Sequence, residues 1–264
     1  LPVAVAAMVA VFVAVGVPAR GGVWYLERGW TVVLGAWFVV LTMRWPRSRF
    51  FPRAFAAVAA TAALVGLLVM VRPGSWSMVS WLITEGMMRS VSLIAQMSMA
   101  IDSEVSLSTA QLNTLFEWAA QQGRLFPALL GLSSLSGLAV AWWAYVRLSA
   151  GSGLGLRPLR DFRFNDHLVW LLLTGLALIV LGAGEGWTSA GSNTVFFMGG
   201  LYAMRGAAVL LFLNGGMTGF GFVFLAVGMF FLAPVLIMGA LVVGVGDTWL
   251  DLRSKVAAIA AGKS

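Results

Sequence analysis

Residues 220–245, FGFVFLAVGMFFLAPVLIMGALVVGV, decide the fold class because they run for 26 positions without one charged side chain. A helix of about 20 apolar residues is long enough to cross the hydrocarbon core of a bilayer. A run of this length and composition therefore predicts a transmembrane helix.

Further apolar runs repeat this pattern, and together they predict about seven spans, within a range of six to eight. The predicted spans are Leu1–Val17, Gly29–Met43, Ala54–Val71, Leu125–Val146, His167–Ala183, Asn193–Leu213 and Phe220–Val245. The first run lacks a basic leader and an Ala-x-Ala cleavage pattern, so we interpret it as a retained span. We expect an all-α, polytopic transmembrane helical bundle that forms a single membrane domain over residues 1–264.

The composition supports this expectation, since 60% of the residues are hydrophobic and only 10% are charged. A soluble domain of this length would carry about a quarter charged residues. Lipid must therefore act as the solvent for much of the chain, and the bilayer is its first expected partner.

The net charge of +7 is concentrated in two connections between apolar runs. Their basic residues are Arg44, Arg47, Arg49 and Arg53 in the first connection, and Arg147, Arg157, Arg160 and Arg163 in the second. The positive-inside rule places both connections in the cytoplasm, together with the N-terminus. The basic charge thus indicates topology in a cytoplasmic membrane and does not favour nucleic-acid binding.

Residues 73–123 lie outside in this orientation, and they contain one predicted amphipathic helix near 108–122. Ser108 followed by Gln111 is a capping-box pattern, and Gly123 is a natural stop. Such a helix can lie on the bilayer or roof over the bundle. We favour the roof, because the polar face lacks the Lys and Arg typical of surface-binding helices.

The side of the C-terminus is left open by the sequence. Seven crossings would place it outside, whereas Arg253, Lys255 and Lys263 favour the cytoplasm. Either one segment is re-entrant, or Pro234 splits the last apolar run.

Arg205 is the charged residue that lipid alone does not explain, because it lies inside a predicted span near its middle. A charge at that depth costs at least about 2.5 kcal/mol on insertion scales, so it usually has a partner or lines a polar cavity. Glu185 and Asp247 are the possible partners. One hypothesis is a site for an anionic or polar substrate, formed by Arg205, Asn193 and Glu185. The alternatives are a structural ion pair, or a side chain that reaches the membrane interface.

Three aspartates at the ends of spans invite further interpretations. Asp166 is expected to be the N-cap of the span that begins at His167. Asp247 and Asp251 are four residues apart and would share one face of a helix, which suits a cation or an arginine partner. A solvated helix end explains the same pair.

Ala6, Ala10 and Ala14 recur every four residues on the first predicted span. Small residues at this spacing allow another helix to approach closely. The face can serve packing within the chain, or it can dock a separate membrane subunit.

The sequence does not favour an enzyme. It has no cysteine, its single histidine cannot form a multi-histidine metal site, and it lacks a Gly-x-Ser-x-Gly elbow and a phosphate-binding loop. We therefore predict no catalytic residue, no cofactor and no metal.

Four stretches of the second half carry a resemblance to a known family: Leu125–Leu130 (LFPALL), Leu159–Leu168 (LRDFRFNDHL), Asn193 with Leu201–Gly206 (LYAMRG), and Gly246–Arg253 (GDTWLDLR). In these stretches the chain resembles the YybS-like family of bacterial multi-pass membrane proteins. This family is similar to the substrate-capture subunits of energy-coupling-factor vitamin transporters. The resemblance implies a helical bundle in a bacterial inner membrane, with a ligand pocket that faces outward. The chain carries Arg205 where relatives often have Gln.

Two functions follow as hypotheses. The first is a transporter-type subunit that binds a small solute, uses the helix Ser108–Gln122 as a lid, contacts the solute through Arg205 and leaves any ATP-driven step to partners. The second is a non-transporting scaffold for membrane or envelope assembly. A membrane enzyme acting on lipid or isoprenoid substrates would need Asp-rich or His-rich clusters that the sequence lacks. A polar cavity at Arg205 and Asn193 would favour the first hypothesis, and dry packing there would favour the second.

Overall fold

The computed structural model describes residues 22–71, 74–101, 108–148, 159–182, 184–214 and 219–261. Within these ranges the chain forms α-helices and short 3-10 turns and no strand, which confirms the all-α membrane bundle. The helices are α1 Gly22–Arg44, α2 Phe50–Val71, α3 Ser75–Ile101, α4 Thr109–Arg124, α5 Phe126–Leu148, α6 Val169–Leu181, α7 Glu185–Leu213, α8 Gly219–Leu250 and α9 Leu252–Ala261. The predicted span Leu1–Val17, and with it Ala6, Ala10 and Ala14, lies outside the described residues.

Five of the described helices are long and apolar enough to cross a membrane: Leu26–Arg44, Phe50–Val71, Phe126–Leu148, Glu185–Leu213 and Leu225–Leu250. A shorter apolar helix, Asp166–Leu181, corresponds to the predicted span His167–Ala183. It ends early because Gly182 adopts a left-handed conformation, with φ 56°, that stops a helix. Six predicted runs are thus helical, and the seventh lies outside the described residues.

The helices group into two compact units, Leu1–Leu154 and Gly155–Ser264. The single membrane domain over 1–264 stays a prediction. In unit 1, α1, α2 and α5 share a core in which Ala54 and Ala57 are fully buried. Such small residues allow close helix packing. Polar contact is made by Trp30, whose Nε1 donates a hydrogen bond to Ser134 Oγ at 2.8 Å.

Unit 1 also contains α3, a 27-residue helix that the sequence did not predict. Its buried residues Ile83, Val91 and Ala95 lie on one face. The mean hydropathy of α3 is lowered by its serines and threonines and by the charged residues Glu85 and Arg89. The sequence of α3 therefore indicates neither a transmembrane span nor a clear amphipathic helix.

α4 confirms the predicted helix near 108–122. The Ser108 N–H donates to Gln111 Oε1 at 2.8 Å, and the Gln111 N–H donates to Ser108 Oγ at 3.3 Å, so the capping box forms as expected. The helix ends at Arg124, one residue beyond the predicted stop at Gly123. It packs against α3, and its position relative to the bilayer stays a prediction.

Unit 2 is built around α7, which packs against α6 on one side and α8 on the other. Glycines make both contacts. A Cβ on Gly191 would lie 2.7 Å from the carbonyl oxygen of Gly175, and a Cβ on Gly206 would overlap the carbonyl oxygen of Ala240. A Cβ on Gly244 would likewise overlap the carbonyl oxygen of Tyr202. The helices therefore meet backbone to backbone, as small-residue spacing permits in membranes.

α8 bends sharply at Leu232, where φ −125° and ψ 21° leave the helical region two residues before Pro234. Proline removes a helical hydrogen bond and clashes with the preceding turn. A Cβ on Gly228 would lie 3.3 Å from Leu236 Cδ1. In a straight helix these two positions, eight residues apart, would be about 12 Å apart along the axis, so the helix is not straight between them. The last apolar run is thus broken close to Pro234, and the side of the C-terminus stays a prediction.

Candidate functional site

Arg205 is fully buried in unit 2 and is held by two aspartates from different helix ends. Its Nε donates to Asp247 Oδ2 at 3.0 Å, and its Nη1 donates to Asp166 Oδ1 at 2.6 Å. Asp247, near the end of α8, is also fully buried, whereas the Asp166 side chain before α6 is 41% exposed. One guanidinium therefore ties α7 to the start of α6 and the end of α8.

Further ion pairs extend this network toward the C-terminus. Arg253 Nη2 donates to Asp247 Oδ2 at 3.3 Å and to the Phe162 carbonyl at 3.0 Å. Arg163 lies 3.3 Å from both Asp166 and Asp251. We call these residues the Arg205 network: Arg163, Asp166, Arg205, Asp247, Asp251 and Arg253. Its three formal positive and three negative charges balance, so no net charge remains to attract an ionic solute.

The network brings the basic connection before α6 and the segment after α8 to the same end of unit 2. Arg253 reaches the carbonyl of Phe162, and Asp251 reaches Arg163. The sequence expectation that Asp247 and Asp251 would suit arginine partners is confirmed. The expectation that they share one face of a helix is wrong, because α8 ends at Leu250 and Asp251 has a positive φ of 42°. Arg253 therefore lies beside the Arg-rich connection, and the side of the membrane on which both lie stays a prediction.

Asp166 does not act as the N-cap that the sequence predicted. Asn165 has that role, since its Oδ1 accepts the His167 N–H at 3.0 Å. Asp166 is turned instead toward Arg205 and Arg163. Partial burial alone would raise the Asp166 pKa, but the hydrogen bonds and charges of Arg205 and Arg163 outweigh it and lower that pKa below its ordinary value. The carboxylate is therefore ionised throughout the neutral range.

Aromatic rings cover the guanidinium of Arg205. The Phe164 ring centroid lies 5.4 Å from Arg205 Cζ, within cation–π range. The same ring packs edge-on against Tyr202 at 5.1 Å, and both residues are buried. The site is packed with protein, and it resembles a structural clamp more than a binding cavity.

The other two predicted site residues do not join Arg205. Glu185 begins α7, and the 20 residues between it and Arg205 span about 30 Å of helix. The predicted pairing of Arg205 with Glu185 is therefore wrong, whereas the pairing with Asp247 is confirmed. Asn193 lies 12 residues from Arg205, about 18 Å along the helix, and its Nδ2 donates to the Ser189 carbonyl at 2.9 Å. Arg205 lies beside the charged ends of α6 and α8, and its depth in a bilayer stays a prediction.

Asp166 is the partner of Arg205 that sequence reasoning missed, although a signal was present. α6 ends at Leu181 and α7 begins at Glu185, so the two neighbouring helices are joined by a short turn. Asp166 lies 19 residues before Glu185, and Arg205 lies 20 residues after it. An antiparallel hairpin centred on that turn places the two side chains at the same level.

A second candidate site is an open groove of about 500 Å³ between α3 and α4 in unit 1. It is lined by Trp81, Thr84, Glu85, Met88, Arg89 and Ser92 from α3, and by Phe116 from α4. We call it the α3–α4 groove. Its size falls within the range of small-molecule sites in proteins.

The groove combines aromatic surface with a few polar groups. Trp81 is 60% exposed, and Phe116 faces the groove from the capped helix α4. Arg89 Nη2 donates to Glu85 Oε1 at 3.0 Å, and both side chains are accessible to solvent. The pair is an exposed one that holds its geometry weakly, so either member can exchange its partner for a solute group.

Comparison with known proteins places the chain in context. The model of the family described as "Predicted membrane protein (DUF2232)" matches residues 3–248, which is most of the chain. No curated protein and no solved structure matches the chain significantly.

Proposed function

We propose that this chain, which belongs to the DUF2232 family of predicted membrane proteins, is a membrane subunit that binds a small solute in the α3–α4 groove. The observation that carries the proposal is the groove itself. It is a wide, open depression of about 500 Å³ on the surface of unit 1, lined by two aromatic side chains and a few polar groups.

We assign the solute site to the α3–α4 groove and not to Arg205. Arg205 is fully buried and already neutralised by Asp166 and Asp247. Breaking these contacts to bind a solute would leave buried charges unpaired, which is strongly unfavourable. The groove carries no such penalty, because Glu85 and Arg89 remain in contact with solvent.

The lining defines the chemical class of the solute. Trp81 and Phe116 suit a flat apolar group, while Glu85 and Arg89 suit a cationic and an anionic group. Thr84 and Ser92 donate their hydroxyl protons to backbone carbonyls, so their oxygens face a solute as acceptors. We therefore expect a small amphipathic solute with a planar apolar part and at least one charge. α4 would act as the lid, because it supplies Phe116.

Trp81→Ala should lower the affinity of the retained solute by about tenfold, since it removes the largest apolar surface in the groove. The measurement is native mass spectrometry of the full chain released from native membranes, with the solute-bound fraction compared between variants. Trp76→Ala is the matched control. Trp76 is on the same helix, is 58% exposed and does not line the groove. Equal solute retention in the two variants would rule out the groove as the site.

The second candidate function is a non-transporting scaffold, and the Arg205 network favours it. Its arginines and aspartates pair within unit 2, and α6, α7 and α8 meet at glycine backbones, as expected of a rigid framework. If the wild-type chain retains no solute and instead copurifies with other membrane proteins, the scaffold is the better account.

The chain has no phosphate-binding loop, so any ATP-driven step would belong to a partner subunit. We propose Ala6, Ala10 and Ala14 as the docking face for that partner. The combined change Ala6→Leu and Ala10→Leu should abolish copurification of the partner, because the larger side chains block close helix approach. Ala4→Leu adds the same side chain about 120° away from the centre of this stripe on the predicted helix, and it should leave the complex intact. A complex that survives both changes would remove the docking proposal.

A further inference from the structure

The cytoplasmic connection predicted between α1 and α2 forms a basic end of unit 1. Arg44 ends α1, Arg47 and Arg49 lie in the connection, and Arg53 lies in the first turn of α2. Trp142 packs against Phe38 and Phe50 with centroid distances of 5.9 and 6.4 Å, which brings the end of α5 and its Arg147 to the same place. We call these five arginines the basic end.

Among the residues that the structure describes, no carboxylate compensates the basic end. Residues 28–84 and 118–160 contain no Asp and no Glu. Across the described ranges of the chain, none of the five arginines forms an ion pair. Unit 1 thus differs from unit 2, where the buried arginine has two aspartates.

Arg53 is the member that requires an explanation, because its side chain is only 3% exposed. Its Nε makes a long contact of 3.4 Å with the Arg49 carbonyl, so the guanidinium folds back toward the first turn of α2. Its Cζ lies 4.8 Å from the Trp142 ring centroid. Among the described residues its Nη1 has no hydrogen-bond partner. A buried cation without an anion is strongly unfavourable, and the aromatic ring compensates only part of that.

We propose that the basic end binds the phosphate of an anionic phospholipid, with Arg53 as its specific ligand. Three features favour a headgroup. The free Nη1 lies by the positive end of the α2 dipole, where a phosphate is stabilised. The exposed arginines add attraction for an anionic leaflet. Trp45 and Trp143, each 51% exposed, flank the site as indoles do at the headgroup layer.

The test titrates the purified full chain in detergent with dioctanoyl phosphatidylglycerol, dioctanoyl phosphatidylcholine or inorganic phosphate. Lipid-bound masses and the midpoint of thermal unfolding are followed together. Phosphatidylglycerol should bind and raise the midpoint of thermal unfolding, and phosphatidylcholine should not. Arg53→Gln should weaken binding of phosphatidylglycerol by about tenfold, because it removes a charged hydrogen bond. Arg124→Gln removes an equal charge at the end of α4 and should leave binding unchanged.

Equal binding of phosphatidylglycerol by Arg53→Gln and the wild type would overturn the proposal. A wild-type chain with no preference between the two lipids would also overturn it, and that comparison needs no variant to fold. If inorganic phosphate raised the midpoint of thermal unfolding as strongly as phosphatidylglycerol, the ligand would be a free anion and the lipid assignment would be wrong.

Discussion

Asp247→Ala is expected to lower the free energy of unfolding by about 3 kcal/mol or more, because it removes one partner from a buried ion pair. Asp247 is fully buried and accepts contacts from both Arg205 and Arg253. Its loss leaves Arg205 with only the half-exposed Asp166 and deprives Arg253 of its carboxylate. Unfolding of the full chain in mixed micelles, titrated with a denaturing detergent, measures the change.

Asp161→Ala is the matched control for this variant. Asp161 is a half-exposed carboxylate whose contact with Arg160 is 4.0 Å long, and such surface pairs contribute about 1 kcal/mol or less. If the two variants destabilised the chain equally, Arg205 would not depend on Asp247 for its charge compensation.

Gly206→Ala is expected to have an effect of similar size, about 3 kcal/mol or more, for a different reason. The added Cβ would overlap the carbonyl oxygen of Ala240, and neither helix backbone can move as a side chain can. Overpacking normally costs about 1–3 kcal/mol when side chains absorb it, so a backbone clash lies at the upper end or beyond. α7 and α8 would separate, and Asp247 would move away from Arg205.

The control for Gly206→Ala lies on the same helix. A Cβ on Gly186 would meet nothing within 4 Å, so Gly186→Ala should be neutral or slightly stabilising, as alanine favours helix. The same unfolding titration applies to both variants. A Gly206→Ala chain as stable as Gly186→Ala would show that α7 and α8 do not meet at this crossing.

Much of the helical architecture could be predicted from hydropathy alone. Apolar runs long enough to cross a bilayer have few alternatives, because every backbone polar group in lipid must be satisfied within a helix or a barrel. α4 was also predictable, since its capping box is a local pattern between Ser108 and Gln111. α3 was not, because its polar residues weaken the signal of its three buried positions.

The site was harder to predict because its contacts join distant parts of the sequence. The sequence identified Arg205 as a charge in need of a partner and named Asp247 correctly. It also proposed Glu185, since proximity along the chain does not reveal that α7 is long enough to separate the two by about 30 Å. The α3–α4 groove depends on α3, so it could not be predicted once that helix was missed.

Two features of the backbone changed how the charges are understood. The bend at Leu232 and the glycine contact between Gly206 and Gly244 place Asp247 beside Arg205. Neither the bend nor the glycine contact can be predicted from the pattern of charges, although Pro234 indicated the bend. Arg205 thus changed from a candidate substrate contact to the residue that joins three helices.

The most direct test of this role is a double-mutant cycle with Arg205→Met, Asp247→Leu and the combined variant, measured as free energies of unfolding in micelles. The clamp predicts that each single change is destabilising and that the combined variant is more stable than their sum implies, by about 2 kcal/mol or more, because no buried charge of the pair remains unpaired. Additive effects of the two changes would contradict the clamp.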